Sequence, residues 1–458
     1  MKNRISLCMA ALLSVLTLAA CQPSYQIAWS PDGNAMAVIA ADGLHTGDSS
    51  GKLSPPVPVN GKPTQVKWLG DSRHALVASA VTLVTWREAK LYLNPSRQKQ
   101  SLDLARYILR QLNERGPDAL DHDPKLENNP DWLGQASGIY LRENSFAEIK
   151  LKMGEERAKI FDMVEMTVNH VSLVDLKSGS PASEAKSLWH GFGEITDVRV
   201  SPDGKYALVV HQKEEKSELF DIEVVSLATN EPSVTVAESA SLHADWSADS
   251  KQVVFIEGPE HEPAKPFMAT LAAIKVRGDD GNLIDPEVEP TRYVHIAADD
   301  CADVRCLKDG RILFPCAEVH VPATTPELST TERAYAYKPL EDLARPLMAA
   351  SEGIHRIEVL ETSPSERWAA IASADSKVQN ILDLNTGKIS LFSSTSNLDP
   401  SWRNADEVCF AKPVDKVGAN QHTAEVVLHN MQTGSDKVLS QDWPEAAVKG
   451  FLMPEKSQ

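Results

Sequence analysis

No catalytic signature stands anywhere in these 458 residues. There is no HExxH pair of helical metal ligands and no GxxxxGK[ST] phosphate loop. A GxSxG nucleophile elbow is also missing; in the nearest approach, GQASG at Gly134, the serine sits one place late. The six cysteines include no CxxC pair, so nothing suggests a cysteine zinc site. Positive charge is outweighed: 46 Lys and Arg stand against 64 Asp and Glu. The formal net charge of -18 disfavours a nucleic-acid backbone as partner, because phosphates would be repelled. A mean hydropathy of -0.27 excludes a multispan membrane protein. With 42% hydrophobic and 24% charged residues, the composition is that of a folded, water-exposed chain.

The first twenty residues form a targeting segment rather than part of the fold. Lys2 and Arg4 precede the apolar run ISLCMAALLSVLTLAA, too short for a membrane span, which ends in LAAC, Leu18–Cys21. Small residues before a cysteine there resemble the lipobox of bacterial lipoproteins. The resemblance implies cleavage before Cys21 and diacylglycerol on its thiol. Gln22, not Asp, follows, which favours the outer membrane. An ordinary secretory signal that happens to contain a cysteine is the alternative.

The body of the chain repeats itself. AWSPDGNAMAVIA at Trp29 returns as KWLGDSRHALVAS at Trp68, RVSPDGKYALVVH at Val200 and DWSADSKQVVFIE at Trp246. RCLKDGRILFPC at Cys306, ETSPSERWAAIAS at Thr362 and SWRNADEVCFAKP at Trp402 complete the series. Three places after the column residue come Asp32, Asp71, Asp203, Asp249, Asp309, Ser365 and Ala405. Each unit reads as a short strand, a tight turn in which Asp bonds its own backbone, and an apolar strand. A second hairpin follows in most units, as in LFDIEVVSLATNEPSVTVAE and QNILDLNTGKISLFSS. Four strands per unit make a propeller blade, and one blade cannot cover both its faces without neighbours.

WSPDG and VSPDGKYALVV are similar to the repeat of TolB-type propellers, relatives of WD-repeat propellers. The resemblance implies an all-β propeller of four-stranded blades over 21–441, with 442–458 as a closing segment. Seven columns give seven blades; six or eight are also compatible. Propellers host binding modules and enzymes alike, so the resemblance leaves activity open. Serine peptidases that carry such a propeller need a further long α/β segment, and nothing after Ser440 is long enough to supply one.

Column spacing jumps to 132 residues between Trp68 and Val200, one blade plus an insertion. We assign 94–166 to a small α/β subdomain within blade two. Its first helix is marked by Leu102, Ala105, Ile108, Leu109 and Leu112, and Gly116-Pro117 stops it. DHDPKLENNPDWLG reads as loop, IYLRENSFAEIKLKM as extended, and GEERAKIFDMVEMT as helix or strand lead-in. It is a lid or docking element, or else a decoration without a site.

An exported protein meets an oxidising compartment. If each column residue opposes the one after its turn, Cys306 faces Arg311 and Cys301 faces Cys316, so a Cys301–Cys316 bridge is expected, with Cys306 and Cys409 free and buried. The 13 histidines are scattered singly, among them His45, His170, His211, His243 and His320. His211 and His243 lie at similar distances from their columns and could approach each other. A lone histidine by a strand is most often structural, so no catalytic, cofactor-binding or metal residue is assigned. HQKEEKSELFD, GPEHEPAKPF and EVEPTRY read as loops, which gather at one end of a propeller where partners bind.

The expected function is a lipid-anchored, periplasm-facing scaffold that binds an envelope protein or small ligand on its loop face. The alternative is a propeller hydrolase or lyase in the central channel. Convergent His and carboxylates there, within about 4–6 Å and with shifted pKa values, would mark it.

Overall fold

The computed structural model describes residues 25–451, except 122, 178–184, 214–219, 229–232, 258–267, 285–288, 298–302, 317, 321–331, 340–343, 350–353, 355–356, 374–378, 394–397, 416–421 and 449–450. Its strands form seven antiparallel blades around a central channel. Blade one holds β1 (Gln26–Trp29), β2 (Ala35–Ala40) and β3 (Gly43–Asp48). Beyond β3 only the single bridges Leu44–Val57 and Gly47–Leu53 continue it. Blade two holds β4 (Lys62–Trp68), β5 (His74–Leu83), β6 (Met166–Asp175) and β7 (Lys186–Gly191). Blade three holds β8 (Ile195–Val200), β9 (Tyr206–Gln212) and β10 (Phe220–Ser226).

The long strand β11 (Val234–Trp246) serves two blades. Its first half pairs with β10 as the outer strand of blade three, and its end pairs with β12 (Gln252–Glu257) as the inner strand of blade four. Blades three and four therefore share one eight-stranded sheet with β13 (Met268–Lys275), β14 (Thr291–Ala297) and β17 (Glu318–His320). Blade five is β15 (Arg305–Cys306), β16 (Ile312–Cys316), β18 (Arg333–Tyr337) and β19 (Arg345–Pro346). Blade six is β20 (Ile357–Thr362), β21 (Trp368–Ser373), β22 (Gln379–Asp383) and β23 (Ile389–Ser393). Blade seven is β24 (Ser401–Trp402), β25 (Glu407–Asp415), β26 (His422–Asn430) and β27 (Asp436–Val438).

Every residue of the repeat column is the last residue of its blade's innermost strand. The turn Asp accepts from the backbone two places on, as in Asp32 to Asn34 N at 3.1 Å and Asp249 to Lys251 N at 3.0 Å. The Trp column then ties blades together. Trp68 Nε1 donates to Ala28 O at 2.9 Å, Trp246 Nε1 to Arg199 O at 3.3 Å, and Trp402 Nε1 to Glu361 O at 3.0 Å. Turns are also clipped in pairs. Ser72 and Ser250, both at positive φ, accept from Asp32 N and Asp203 N of the preceding blade. The ring closes where Arg403 Nε donates to Gly33 O at 3.0 Å, and where Tyr25, Ile27 and Trp29 pack with Leu398, Leu428, Trp443 and Phe451.

One expected register is corrected. Cys306 opposes Ile312, not Arg311, because Leu307 and Arg311 pair with each other to close the turn, Leu307 N donating to Arg311 O. The turn is one residue shorter than the SPDG turns, where the column residue faces the residue seven places on. Blade seven has the same short turn, with Trp402 opposite Val408.

The insertion is helical throughout its described residues, not α/β. It follows Leu83 and comprises α1 (Trp86–Ala89), α2 (Pro95–Arg115), a 3-10 turn, α3 (Pro124–Glu127), α4 (Asp131–Met153) and α5 (Glu155–Asp162). The stretch expected to be extended lies in α4. Its ending, Ile149 to Met153, alternates like a strand, but Ile149 and Met153 are buried while Leu151 is exposed, the i,i+4 pattern of a helix. A capping box at Thr85 starts α1, Asn94 caps α2 ahead of Pro95, and Gly116 ends it. The helices pack with Leu83, Met166 and Val168 into one apolar cluster.

Chain direction fixes the faces. All innermost strands run the same way, so Tyr25, the insertion and the other connections between second and third strands lie on one face, and the SPDG turns lie on the other. Gly193, between blades two and three, has no room for a side chain: a Cβ there would stand 1.8 Å from Gln212 O. We expect Gly193→Ala to cost about 2–3 kcal/mol, measured by urea unfolding.

Candidate functional site in the central channel

The innermost strands line the channel, and their charges fall into two layers. One place before the column stand Lys67, Arg199, Asp245, Arg305 and Glu361, from blades two to six. Three places before it stand Asp197, His243 and Asp303, from blades three to five. These side chains meet across blade boundaries. Arg199 Nε donates to Asp197 Oδ2 at 2.9 Å, and His243 Nδ1 lies 3.3 Å from the same oxygen. Arg305 pairs with Asp303 and with Glu361, the latter at 3.1 Å. Asp303 is fully buried and also accepts from Val304 N and Leu360 N. Asp245 turns into the wall, accepting from Trp246 N at 2.9 Å and Cys306 N at 2.8 Å.

Burial and opposite charges compete here. Burial would raise Asp197, but Arg199, His243 and Lys67 hold its carboxyl far below the usual range. Burial would also raise Glu361; Lys67, Arg305 and Arg199 hold it at about 2. At Asp245 burial prevails and the carboxyl is raised. Burial and then Arg199 push the Lys67 ammonium down. The ligand atoms of Asp197, His243 and Asp303 lie within 4.8 Å of one another, so these three could hold a divalent cation. Both carboxylates already receive guanidinium groups, with which a cation would compete.

No family model matches the chain, and no curated protein matches it. Among solved structures it is similar to other propellers. It resembles TolB from Acinetobacter baumannii at 14% identity, over 58% of each chain, with a TM-score of 0.40. The chain thus spans 58% of that TolB. It is also similar to the hydrazine synthase of Kuenenia stuttgartiensis, at 12% identity over 92% of this chain and 96% of that one, TM-score 0.46. The Cps50 (Swd1) propeller domain of Myceliophteria thermophila matches at 9% identity over 90% and 94% of the two chains, TM-score 0.43. The propeller assignment rests on the chain's own strands.

The positions singled out in the sequence scatter. Cys21 and Cys301 lie outside the described residues, so neither the lipid site nor the Cys301–Cys316 bridge is described. Cys316 is buried on β16 opposite Arg333. Of the two cysteines expected to be buried, Cys409 is and Cys306 is only half-buried; burial pushes the Cys409 thiol up to about 12 and the Cys306 thiol well up. His211 and His243 have different partners. His211 bonds Glu223 at 3.0 Å and lies against Trp189, whereas His243 faces Asp197 in the channel. His170 is buried beside Tyr92 and His190 at the root of the insertion.

A second feature lies on the insertion itself. Among the described residues five large apolar side chains are exposed, and four belong to it: Val84, Leu91, Leu151 and Met163. Leu91 and Leu151 are 79% and 82% exposed. No described helix is long and apolar enough to cross a membrane.

Proposed function

We propose that this propeller is a binding scaffold of the cell envelope, anchored through lipid on Cys21, whose helical insertion docks a partner protein. The observation that carries this reading is the concentration of exposed apolar side chains on the insertion. Single exposed apolar residues need no explanation, but four of the five among the described residues fall on this one appended element, which supports its use as an interaction surface. The chain enters its first blade on the same face, so the anchor, the insertion and the long connections would all meet the envelope together. The double variant Leu91→Ser/Leu151→Ser keeps the fold, since neither side chain is buried, and is expected to lose at least tenfold in partner affinity. Unchanged retention of the partner would count against the reading.

A second reading, a hydrolase or lyase in the channel, is favoured by the convergence of Asp197, His243 and Asp303. A general acid of the channel would need a carboxyl raised towards neutrality and facing substrate. Asp197 and Glu361 are held low, and Asp245, which is raised, is engaged with backbone amides. His243→Ala, assayed on a panel of envelope glycans and peptides, tests it: turnover by the native chain that the variant loses would establish the enzyme.

A further inference from the structure

Two channel cations carry hydrogen-bond donors that no described residue accepts. Lys67, on β4, makes no hydrogen bond and no ion pair within 4.0 Å among the described residues. Arg199 occupies the same register on the neighbouring β8, and its side chain is 12% exposed. Its Nε is used by Asp197, but Nη1 stands 3.7 Å from Glu361 and Nη2 3.8 Å from Asp303, beyond hydrogen-bond reach. The guanidinium is largely buried, but its two terminal nitrogens are not sealed in with it: without described acceptors they are left to solvent and to whatever enters the channel. Of the other ring members, Asp245, Asp303 and Glu361 have their partners in the wall, and Arg305 bonds Asp303 and Glu361 while its Nε is sealed in without a partner.

We propose that Lys67 and Arg199 form a binding site for an oxyanion, the carboxylate or phosphate of a small molecule entering the channel. The planar fork of Arg199 suits two parallel N–H···O bonds, and the Lys67 ammonium supplies a third donor and a compact charge. Lys67 is only half-buried and the Glu361 side chain is 33% exposed, so solvent reaches this layer. The acidic residues do not close the site. Asp245 faces backbone amides, and Asp303 is saturated by Arg305 and two amides. Glu361 is the competitor: its carboxylate bonds Arg305 and lies within 4 Å of Arg199, where an incoming oxyanion would approach. Burial and Arg199 depress Lys67, so a bound anion would relieve an existing strain between the two cations. The site concerns the channel and does not depend on the docking role of the insertion.

The test is calorimetric titration of the full mature chain at low ionic strength with citrate in one arm and inorganic phosphate in the other. Binding in the citrate arm alone assigns a carboxylate ligand, and in the phosphate arm alone a phosphate ligand. Lys67→Gln removes no hydrogen bond or close ion pair to a described residue, only the longer-range attraction to Glu361 and Asp197, and is expected to fold, with binding weakened at least tenfold. Glu361→Gln is expected to tighten binding severalfold by removing the competing carboxylate. If that variant does not fold, Lys67→Gln decides alone. The proposal fails if neither anion binds the native chain, or if Lys67→Gln binds as tightly as the native chain.

Discussion

Replacing Asp303 by Ala lowers the stability of the propeller by about 3–5 kcal/mol. This carboxylate is 1% exposed and holds three neighbours at once: the Arg305 guanidinium, the amide of Val304 in its own blade and the amide of Leu360 in the next. Truncation leaves Arg305 buried with one counter-charge fewer and two amides without an acceptor. The large figure comes from those stranded partners, not from the intrinsic strength of an ion pair. An exposed pair makes the contrast. Asp103 and Arg106 on α2 are 53% and 71% exposed, and Asp103→Ala should cost under about 0.5 kcal/mol. Urea unfolding of the two variants side by side measures the difference. Equal costs would mean that the channel charges do not hold the blades together.

The second large effect is a loss of stability on mild acidification, centred on His170. Its ring is 5% exposed, its Nε2 has no hydrogen-bond partner, and Tyr92 and His190 face it. Burial, and then His190, lower its pKa from 6.5 to about 4. Below pH 6.5 the unfolded chain takes up a proton that the folded chain refuses. The contribution of His170 is therefore complete above pH 6.5 and disappears as pH falls towards 4, a loss of about 2 kcal/mol by pH 4.5. His170→Phe keeps an aromatic ring against Tyr92 and removes the titration. Between pH 7.5 and 4.5, with pH 5.5 as an intermediate point, urea unfolding should show the native chain losing about 2 kcal/mol more than the variant. Parallel decline of both would contradict it. Carboxylates such as Glu361, at about 2, lose their share only at lower pH, between about 4.5 and 2.

Local chemistry explains which parts of this fold were legible in the sequence. The Trp-to-Asp turn is a local device, so its signature survives in order along the chain, and each column residue ends an inner strand. Loop length in blades five and seven is less legible. Deleting one turn residue leaves a plausible motif but moves Cys306 opposite Ile312. Helix α4 was hidden by a short alternation of Ile, Lys, Leu, Lys and Met at its end, where the exposed Leu151 mimics the outward face of a strand.

The channel ring was missed for a different reason. Its residues, Lys67, Arg199, Asp245, Arg305 and Glu361, stand directly before the column residues of five successive blades. Read singly they are ordinary surface charges; only the closed ring brings them together. The usable signal was their register, a charged residue one place before the column in five of seven units. The exposed apolar residues of the insertion left no comparable trace, because only the folded insertion shows that they are not core.

The measurement that tests the scaffold reading most directly is a pull-down from envelope extract. Lipid-free mature chain is compared with Leu91→Ser/Leu151→Ser, both verified as folded by circular dichroism. The account predicts one specific protein retained by the native chain and lost with the double variant. Retention of the same protein by both, or of none by either, would contradict docking through the insertion.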